Sequence, residues 1–110
     1  MKLPNGKNAV IDIRKLTDYC LNLEHTSGKH KARLFRAKLD FFAQNAEVLV
    51  KALQIVAVDG DAKLGRLDRF GQRYTIDFEF TWQNRSAMLR SGWIIEHGSD
   101  RPRLTTCFPL

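Results

Sequence analysis

Apolar and polar residues alternate most regularly in the second half of the chain, over residues 73–82. Every second side chain there is apolar, namely Tyr74, Ile76, Phe78, Phe80 and Trp82. Alternation with a period of two is typical of a strand that has one buried face and one solvated face. Gln83-Asn84 fits a two-residue turn, because Asn tolerates a positive φ, and residues 85–96 then return as a second strand. The sequence therefore predicts a β-hairpin.

The hairpin fixes a register between its two strands. On the buried face it pairs Phe80 with Ala87, Phe78 with Leu89 and Tyr74 with Trp93, and on the open face it pairs Asp77 with Arg90. A second turn over residues 97–100 leads into a shorter strand over residues 103–108. On that strand the alternation predicts three residues on the buried face, Leu104, Thr106 and Phe108, and two on the open face, Thr105 and Cys107.

Helical periodicity dominates the first half of the chain. Asp12 is a suitable N-cap for a helix of about residues 13–21, and the three- and four-residue spacing of apolar side chains predicts a second helix over residues 29–39. A third follows over about residues 46–58. Helices before strands predict an α+β fold, with about three N-terminal helices on one face of a C-terminal antiparallel sheet of three to four strands. Residues 62–71 fit either a fourth, edge strand or a loop.

Length and composition predict a single globular domain over residues 1–110. The hydrophobic fraction is 44%, no apolar run approaches the ~20 residues that span a bilayer, and the N-terminus lacks the apolar core of a signal peptide. We therefore expect a cytoplasmic protein without a membrane partner. Cys20 and Cys107 lie among apolar neighbours and have no metal-binding spacing, which favours two reduced thiols over a disulfide.

Positive charge concentrates in the second predicted helix. The chain has a formal net charge of +6, and residues 29–38 contribute the cations Lys29, Lys31, Arg33, Arg36 and Lys38 without an acidic residue among them. Such a bias indicates an acidic partner, of which nucleic acid is the commonest.

The start of this helix is the first candidate for chemistry. Free N–H groups at a helix start attract phosphate, and Lys29, His30 and Lys31 reinforce that preference, with Arg33 one turn further on. His25 is the side chain type best suited to move protons near neutral pH. The motif is no P-loop, because Leu23 stands where its first glycine would be. An ordinary basic helix start with a hydroxyl cap fits equally well.

The open face of the sheet is the second candidate. RNA cleavage through the 2′-hydroxyl needs proton transfer and cations that stabilise charge on the phosphate. Glu79, His25 or His30 could transfer the protons, and Thr105 or Thr106 would position the phosphate. Four cations could hold it, namely Arg73, Arg90, Lys29 and Lys31. The Asp77 and Arg90 pair also fits a cross-strand salt bridge. Neither metal nor cofactor is expected, since the three histidines and scattered acids show no ligand spacing. Trp93 fits the core better than a base-stacking site.

Several segments carry a resemblance to a known kind of protein. They are residues 16–22, His25 with residues 28–32, Tyr74, residues 91–95 and residues 102–108. Together they resemble an uncharacterised bacterial domain family that occurs as small standalone proteins and at the C-terminal ends of polymorphic toxins. Its layout is similar to the ribonuclease-toxin group that includes barnase, the colicin ribonucleases and RelE.

This resemblance implies metal-independent cleavage of RNA on the open sheet face. By position in the layout, the implied catalytic residues are His25, Lys31, Arg90 or Arg73, and Thr105 or Thr106. The basic patch adds Lys29, His30, Arg33 and Arg73 as the expected substrate-binding residues. A cognate antitoxin or immunity protein would be the protein partner. One departure is Thr26, which stands where the family pattern has a proline after the histidine.

Two other functions fit the same sequence. A non-catalytic module, either an antitoxin-like or immunity protein or a small nucleic-acid binder, would use the positive charge for affinity alone. A structural domain would bind a partner through an exposed strand edge.

Overall fold

The computed structural model describes residues 1–110 and has two α-helices followed by four strands. The elements are α1 (Lys29–Leu39), α2 (Ala46–Asp59), β1 (Ala62–Leu67), β2 (Gly71–Trp82), β3 (Arg85–Glu96) and β4 (Arg103–Pro109). Short 3-10 turns lie at Gly6–Asn8 and Ala43–Asn45, and a π-helical segment lies at Leu16–Cys20. The predicted α+β fold is confirmed.

The four strands form one antiparallel sheet in chain order, β1-β2-β3-β4. The predicted hairpin register is confirmed in all four pairs, including Asp77 opposite Arg90. Gln83 supplies the positive φ of the two-residue turn, at 45°. Residues 62–67 form the edge strand β1, which settles the choice left open by the sequence.

The prediction for the last strand was partly wrong, because β4 contains a β-bulge. Gly92 pairs with Thr106 and Trp93 pairs with Leu104, so Thr105 is an extra residue on β4. An extra residue shifts the alternation by one position. Beyond the bulge, Cys107 is therefore fully buried and Phe108 is half-buried, the reverse of the expected order.

Gly92 makes room for this bulge. A Cβ atom at this position would lie 3.0 Å from Thr105 Oγ1 and 2.9 Å from Thr106 Cγ2. Contacts this short force neighbouring atoms to move, so the bulge and the glycine depend on each other.

The hydrophobic core lies between the helices and one face of the sheet. It contains 19 buried residues, and α1 contacts β3 and β4 while α2 contacts β2. Phe41, between the helices, packs edge-on against Phe80 and Trp82, with ring centres 5.5 Å and 5.3 Å apart. Trp93 is 1% exposed, which confirms its expected place in the core.

The first predicted helix is short and widens into a π-helix. Asp12 caps it as predicted, because its Oδ1 accepts a hydrogen bond from the Arg14 N–H at 3.0 Å. The Leu21 N–H donates to the Leu16 carbonyl, five residues back, at 2.8 Å. This segment lies against β4, where the Cys107 N–H donates to Cys20 Sγ at 3.4 Å.

Both cysteines are free thiols, as predicted, and both are buried. Burial raises the pKa of the Cys20 thiol and holds the pKa of the Cys107 thiol well above its usual range. Neither thiol therefore has the character of an activated nucleophile.

The helices are too short or too polar to cross a membrane singly. Only if Lys29–Leu39 and Ala43–Asp59 are taken together, across a bend of 77°, do length and composition reach that requirement.

Candidate functional site

The cations of α1 are the only large group of positive side chains without acidic partners. The side-chain ion pairs of the protein all use arginines outside α1, namely Arg14, Arg66, Arg73, Arg90 and Arg103. None of the five lysines and arginines of α1 has a carboxylate within ion-pair distance. The excess positive charge of the protein is therefore concentrated on this helix, where an anionic ligand meets the least competition.

Lys31 connects α1 to the π-helical segment. Its Nζ donates a hydrogen bond to the Tyr19 hydroxyl oxygen at 2.7 Å and lies 4.8 Å from the centre of the Tyr19 ring. The same Nζ lies 5.7 Å from the centre of the Phe108 ring on β4. The hydrogen bond to the Tyr19 hydroxyl holds the ammonium in place, and the nearby rings add a weaker electrostatic attraction. Since the Tyr19 oxygen accepts this bond, its own O–H is free to donate to a ligand.

His25 organises the start of α1. Its Nδ1 accepts hydrogen bonds from the backbone N–H groups of Ser27 and Gly28, at 3.1 Å and 2.9 Å. Backbone N–H groups only donate, so Nδ1 is an acceptor and the ring proton of neutral His25 lies on Nε2. The imidazole also packs edge-on against the Tyr19 ring, with centres 5.0 Å apart.

This arrangement leaves fewer free N–H groups for the expected phosphate site, namely those of His30 and Lys31. The Ser27 and Gly28 N–H groups are already bound by the His25 ring, and the Lys29 N–H donates to the His25 carbonyl at 2.9 Å. His25 thus acts as a cap, and what it offers to a ligand is its Nε2–H.

Gly28 allows α1 to approach the π-helical segment closely. A Cβ atom at this position would lie 2.2 Å from the Tyr19 carbonyl oxygen and 2.8 Å from Cδ1 of the Tyr19 ring. Such distances are far inside van der Waals contact, so only glycine fits without displacing Tyr19. The close contact between Tyr19 and Lys31 depends on this position.

An open groove of about 320 Å³ adjoins the rings of Tyr19 and His25. Its lining is polar and consists of Asp12, Arg14, Lys15, Asp18, Tyr19 and His25. Hydrogen bonds from Arg14 hold the pKa of the Asp12 carboxyl at about 2, so this acid is ionised and already paired. Lys15 has no acidic partner, and its Nζ lies 6.0 Å from the Tyr19 ring centre. The groove therefore presents an unpaired cation beside the two rings.

Thr105 and Thr106 both lie at the bulge of β4, but they make different contacts. Thr106 Oγ1 is 3.9 Å from Cys20 Sγ, next to Tyr19 in the chain, whereas Thr105 Oγ1 faces the backbone of Gly92. Through Cys20, Thr106 belongs to the surroundings of Tyr19 and Lys31.

The two arginines predicted to bind phosphate are engaged in ion pairs. Arg90 Nε and Nη2 bind the two carboxylate oxygens of Asp77 at 2.8 Å and 2.9 Å, and the pKa of Asp77 is lowered as a result. Arg73 Nε binds Asp68 at 2.8 Å. The pairing of Asp77 with Arg90 has the geometry of a cross-strand salt bridge.

The remaining predicted residues lie along α1. Lys29 is partly buried, while His30 and Arg33 are exposed. The structure thus brings His25 and Lys31 together through Tyr19, with Thr106 close by, and connects them to the sheet through Phe108. Arg90 is opposite Phe108 in the register of β3 and β4, while Arg73 lies two strands away on β2.

Sequence reasoning missed Tyr19 and Phe108. Both were assigned by alternation or helical spacing to structural roles, and no local motif joins residue 19 to residue 31 or residue 108. No cluster of three or more histidine, cysteine or acidic side chains has a geometry that could hold a metal ion.

Fold and site together define an α+β domain with a cationic helix at one edge of an antiparallel sheet. The chain belongs to the family described as a domain of unknown function, DUF6883, which matches residues 2–110. No curated protein matches the sequence. The fold is similar to that of a chain from a contact-dependent growth inhibition toxin and immunity protein complex of Klebsiella pneumoniae 342. The TM-score is 0.62 over 96% of both chains, with 16% sequence identity, so the similarity is one of fold.

Proposed function

We propose that the protein is a toxin-type ribonuclease that cleaves RNA at the edge formed by α1, the π-helical segment and β4. The observation that carries the proposal is Lys31, whose ammonium is held at 2.7 Å from the Tyr19 hydroxyl between two aromatic rings, on the helix with the unpaired positive charge. The fold similarity to a chain of a toxin and immunity protein complex supports the toxin class.

The three polar groups of this edge fit the needs of a phosphodiester under attack by its 2′-hydroxyl. Negative charge grows on the phosphate oxygens in the transition state, and preorganised donors and cations that meet it there lower the barrier. We assign this role to the Lys31 ammonium and the His25 Nε2–H. The attacking 2′-hydroxyl releases its proton to solvent water. The Tyr19 O–H is then placed to donate to a phosphate oxygen or to give its proton to the leaving 5′-oxygen, with the Lys31 ammonium stabilising the phenolate until water reprotonates it. Lys29 and Arg33 bind flanking phosphates through charge alone.

This proposal changes the roles expected from the sequence. His25 becomes a hydrogen-bond donor through Nε2 instead of a general acid or base, because its Nδ1 is occupied by two backbone N–H groups. Arg73 and Arg90 become structural ion-pair partners, with their acids at 2.8 Å. Thr106 shapes the edge through its contact with Cys20.

Incubation of the purified protein with total tRNA and with mRNA in EDTA tests the proposal. We expect discrete RNA fragments, and we expect Lys31→Met, which removes the ammonium and keeps most of the aliphatic stem, to lower the cleavage rate by about 10²-fold. Tyr19→Phe should lower it as well. The control is Lys38→Met, which removes an equally unpaired cation from the other end of α1. Intact RNA, together with normal growth on induced expression, would remove the ribonuclease function.

An immunity-type or antitoxin-like binding module is the second candidate. It is favoured by the ion pairing of Arg73 and Arg90, which leaves the sheet face with few free catalytic groups. Such a module would bind RNA or a protein with an affinity that falls steeply with salt and would leave RNA intact. A small acidic protein recovered in stoichiometric amount from the native host indicates the toxin, and a larger basic one indicates the inhibitor.

A further inference from the structure

Strand β1 forms the edge of the sheet opposite to the candidate site. β4 lies three strand spacings of ~4.8 Å away, so whatever β1 does is separate from the chemistry proposed above. An edge strand presents unpaired backbone groups to its surroundings, and proteins usually protect such an edge.

The hydrogen bonds of β1 show which backbone groups are free. The Ala62 N–H points away from β2, because it donates to the Met1 carbonyl at 2.7 Å. Backbone groups point the same way at every second residue of a strand, so the N–H and the carbonyl of Leu64 also point away from β2. The open edge therefore begins at Leu64, directly beyond the residue that Met1 covers.

Large apolar side chains are exposed along this edge. Leu64 is 65% exposed, Leu67 is 69% exposed and Phe70, in the turn to β2, is 54% exposed. Single exposed apolar residues are normal, but three within one short hairpin form a patch, and a patch of this kind marks an interaction surface.

The charges of the same edge define the chemistry of the partner. Residues 62–67 contain two cations, Lys63 and Arg66, and no acid. Lys63 has no carboxylate partner, and Arg69 stacks on the Phe70 ring at 4.8 Å without one. Arg66 is paired with Asp68 at 2.9 Å, so the unpaired charges are those of Lys63 and Arg69. A second copy of β1 would bring like charges against them, and like charges on neighbouring strands are destabilising. Charge complementarity therefore selects an acidic strand and opposes self-association.

We propose that β1 binds an extended acidic segment of a partner protein, which joins the sheet as a fifth strand beside Leu64. Backbone hydrogen bonds to Leu64 supply affinity, apolar side chains of the segment cover Leu64 and Leu67, and its acids pair with Lys63 and Arg69. The bulge between Leu64 and Leu67 limits the pairing to a short stretch, which makes the side-chain contacts decisive.

Selection of peptides against the whole protein tests this surface. A phage-displayed library of random peptides of about twelve residues covers a strand of ordinary length with its flanks. We expect enrichment of peptides in which acidic and apolar residues alternate. Amide exchange should show slower exchange of the Leu64 N–H in the complex. Enrichment of basic or uncharged peptides, binding without protection of Leu64, or no enrichment would each overturn the proposal.

Variants of this edge distinguish three possibilities: binding through backbone hydrogen bonds, binding through charge, and self-association. The charge reversal Lys63→Glu with Arg69→Glu should weaken the binding of an enriched peptide by about tenfold or more. The control Lys51→Glu, at an exposed and unpaired lysine on α2, should leave the affinity unchanged. Leu64→Pro removes the outward N–H at an edge position that tolerates proline, and it should abolish binding while the circular dichroism spectrum stays native. Dimers of the wild type that Leu64→Pro dissociates would instead show that a second copy occupies the edge.

The peptide and RNA measurements test the two proposals independently of each other. If RNA stays intact while the peptide binds, only the ribonuclease function is lost. If RNA is cleaved and no peptide is enriched, only the docking surface is lost.

Discussion

Replacement of His25 tests whether this residue supports the fold as well as the reaction. In His25→Ala, the N–H groups of Ser27 and Gly28 lose their acceptor, which lies at 3.1 Å and 2.9 Å in the wild type. Loss of a helix cap costs about 0.5–2 kcal/mol. Loss of the edge-on contact with the Tyr19 ring, at 5.0 Å, adds about 0.5–1.5 kcal/mol. We therefore expect a total destabilisation of roughly 1–3.5 kcal/mol.

Thermal unfolding followed by circular dichroism measures this effect. For a chain of about this length, 1 kcal/mol corresponds to roughly 4 °C, so Tm should fall by about 4–14 °C. His25→Asn is the matched variant, because the carboxamide oxygen of asparagine accepts the same N–H groups, and it should restore much of the lost Tm. An unchanged Tm in His25→Ala would refute the capping role of the imidazole.

The same pair of variants separates the cap from the chemistry. If the Nε2–H stabilises charge on the phosphate, His25→Asn folds normally and cleaves RNA about 10²-fold more slowly. Full cleavage by His25→Asn would limit His25 to the positioning of α1.

Three other positions give independent predictions. Gly28→Ala should displace Tyr19 and destabilise the fold by about 1–3 kcal/mol in urea unfolding; wild-type stability would contradict the close packing. Ser91→Ala should lower the free energy of unfolding by about 1–3 kcal/mol and change the fluorescence of Trp93, because the buried indole N–H of Trp93 donates to Ser91 Oγ at 2.9 Å. An unchanged urea midpoint would contradict this prediction. Asp68 has a folded-state pKa lowered chiefly by Arg73, so its contribution to stability is present above about pH 4, near the unfolded pKa, and is lost as the pH falls further. Asp68→Asn should therefore flatten the loss of stability in acid, and a pH profile parallel to the wild type would disprove it.

The hairpin and the two long helices could be predicted because their signals are local. Five alternating apolar residues and a two-residue turn determine the register of β2 and β3, since a shift by one residue would turn the apolar face to solvent. The bounds of α1 match the apolar spacing and the loop before it. In such segments propensity, pattern and tertiary packing agree.

The bulge and the π-helical segment could not be predicted, because both arise from tertiary contacts. Thr105 looks like an ordinary strand residue, and its displacement follows from the pairing of Gly92 with Thr106 on another strand. Likewise, the widening at Leu16–Cys20 accompanies the contact of Cys20 with the Cys107 N–H. Both features decide which side chains reach the candidate site, so the site was predicted less well than the fold.

Two of the arginines predicted for the candidate site are engaged in ion pairs. Arg73 and Arg90 were predicted as phosphate ligands from their charge and strand position, but the sequence does not show that Asp68 and Asp77 lie within 2.8 Å of them. Lys31 was predicted from charge as well, and its contact with Tyr19 lies across twelve residues. Charge alone thus indicates the helix but not the particular side chains.

The contact of Lys31 with Phe108 bears on the order in which this edge of the fold is assembled. Tyr19 and Lys31 belong to the helical half of the domain, but the second ring near the Lys31 ammonium is on β4, the last of the four strands in chain order. Val10 likewise forms a β-bridge with Arg103, which is also on β4. The surroundings of Lys31 are therefore complete only once β4 has joined the sheet, so this edge is assembled together with the whole domain.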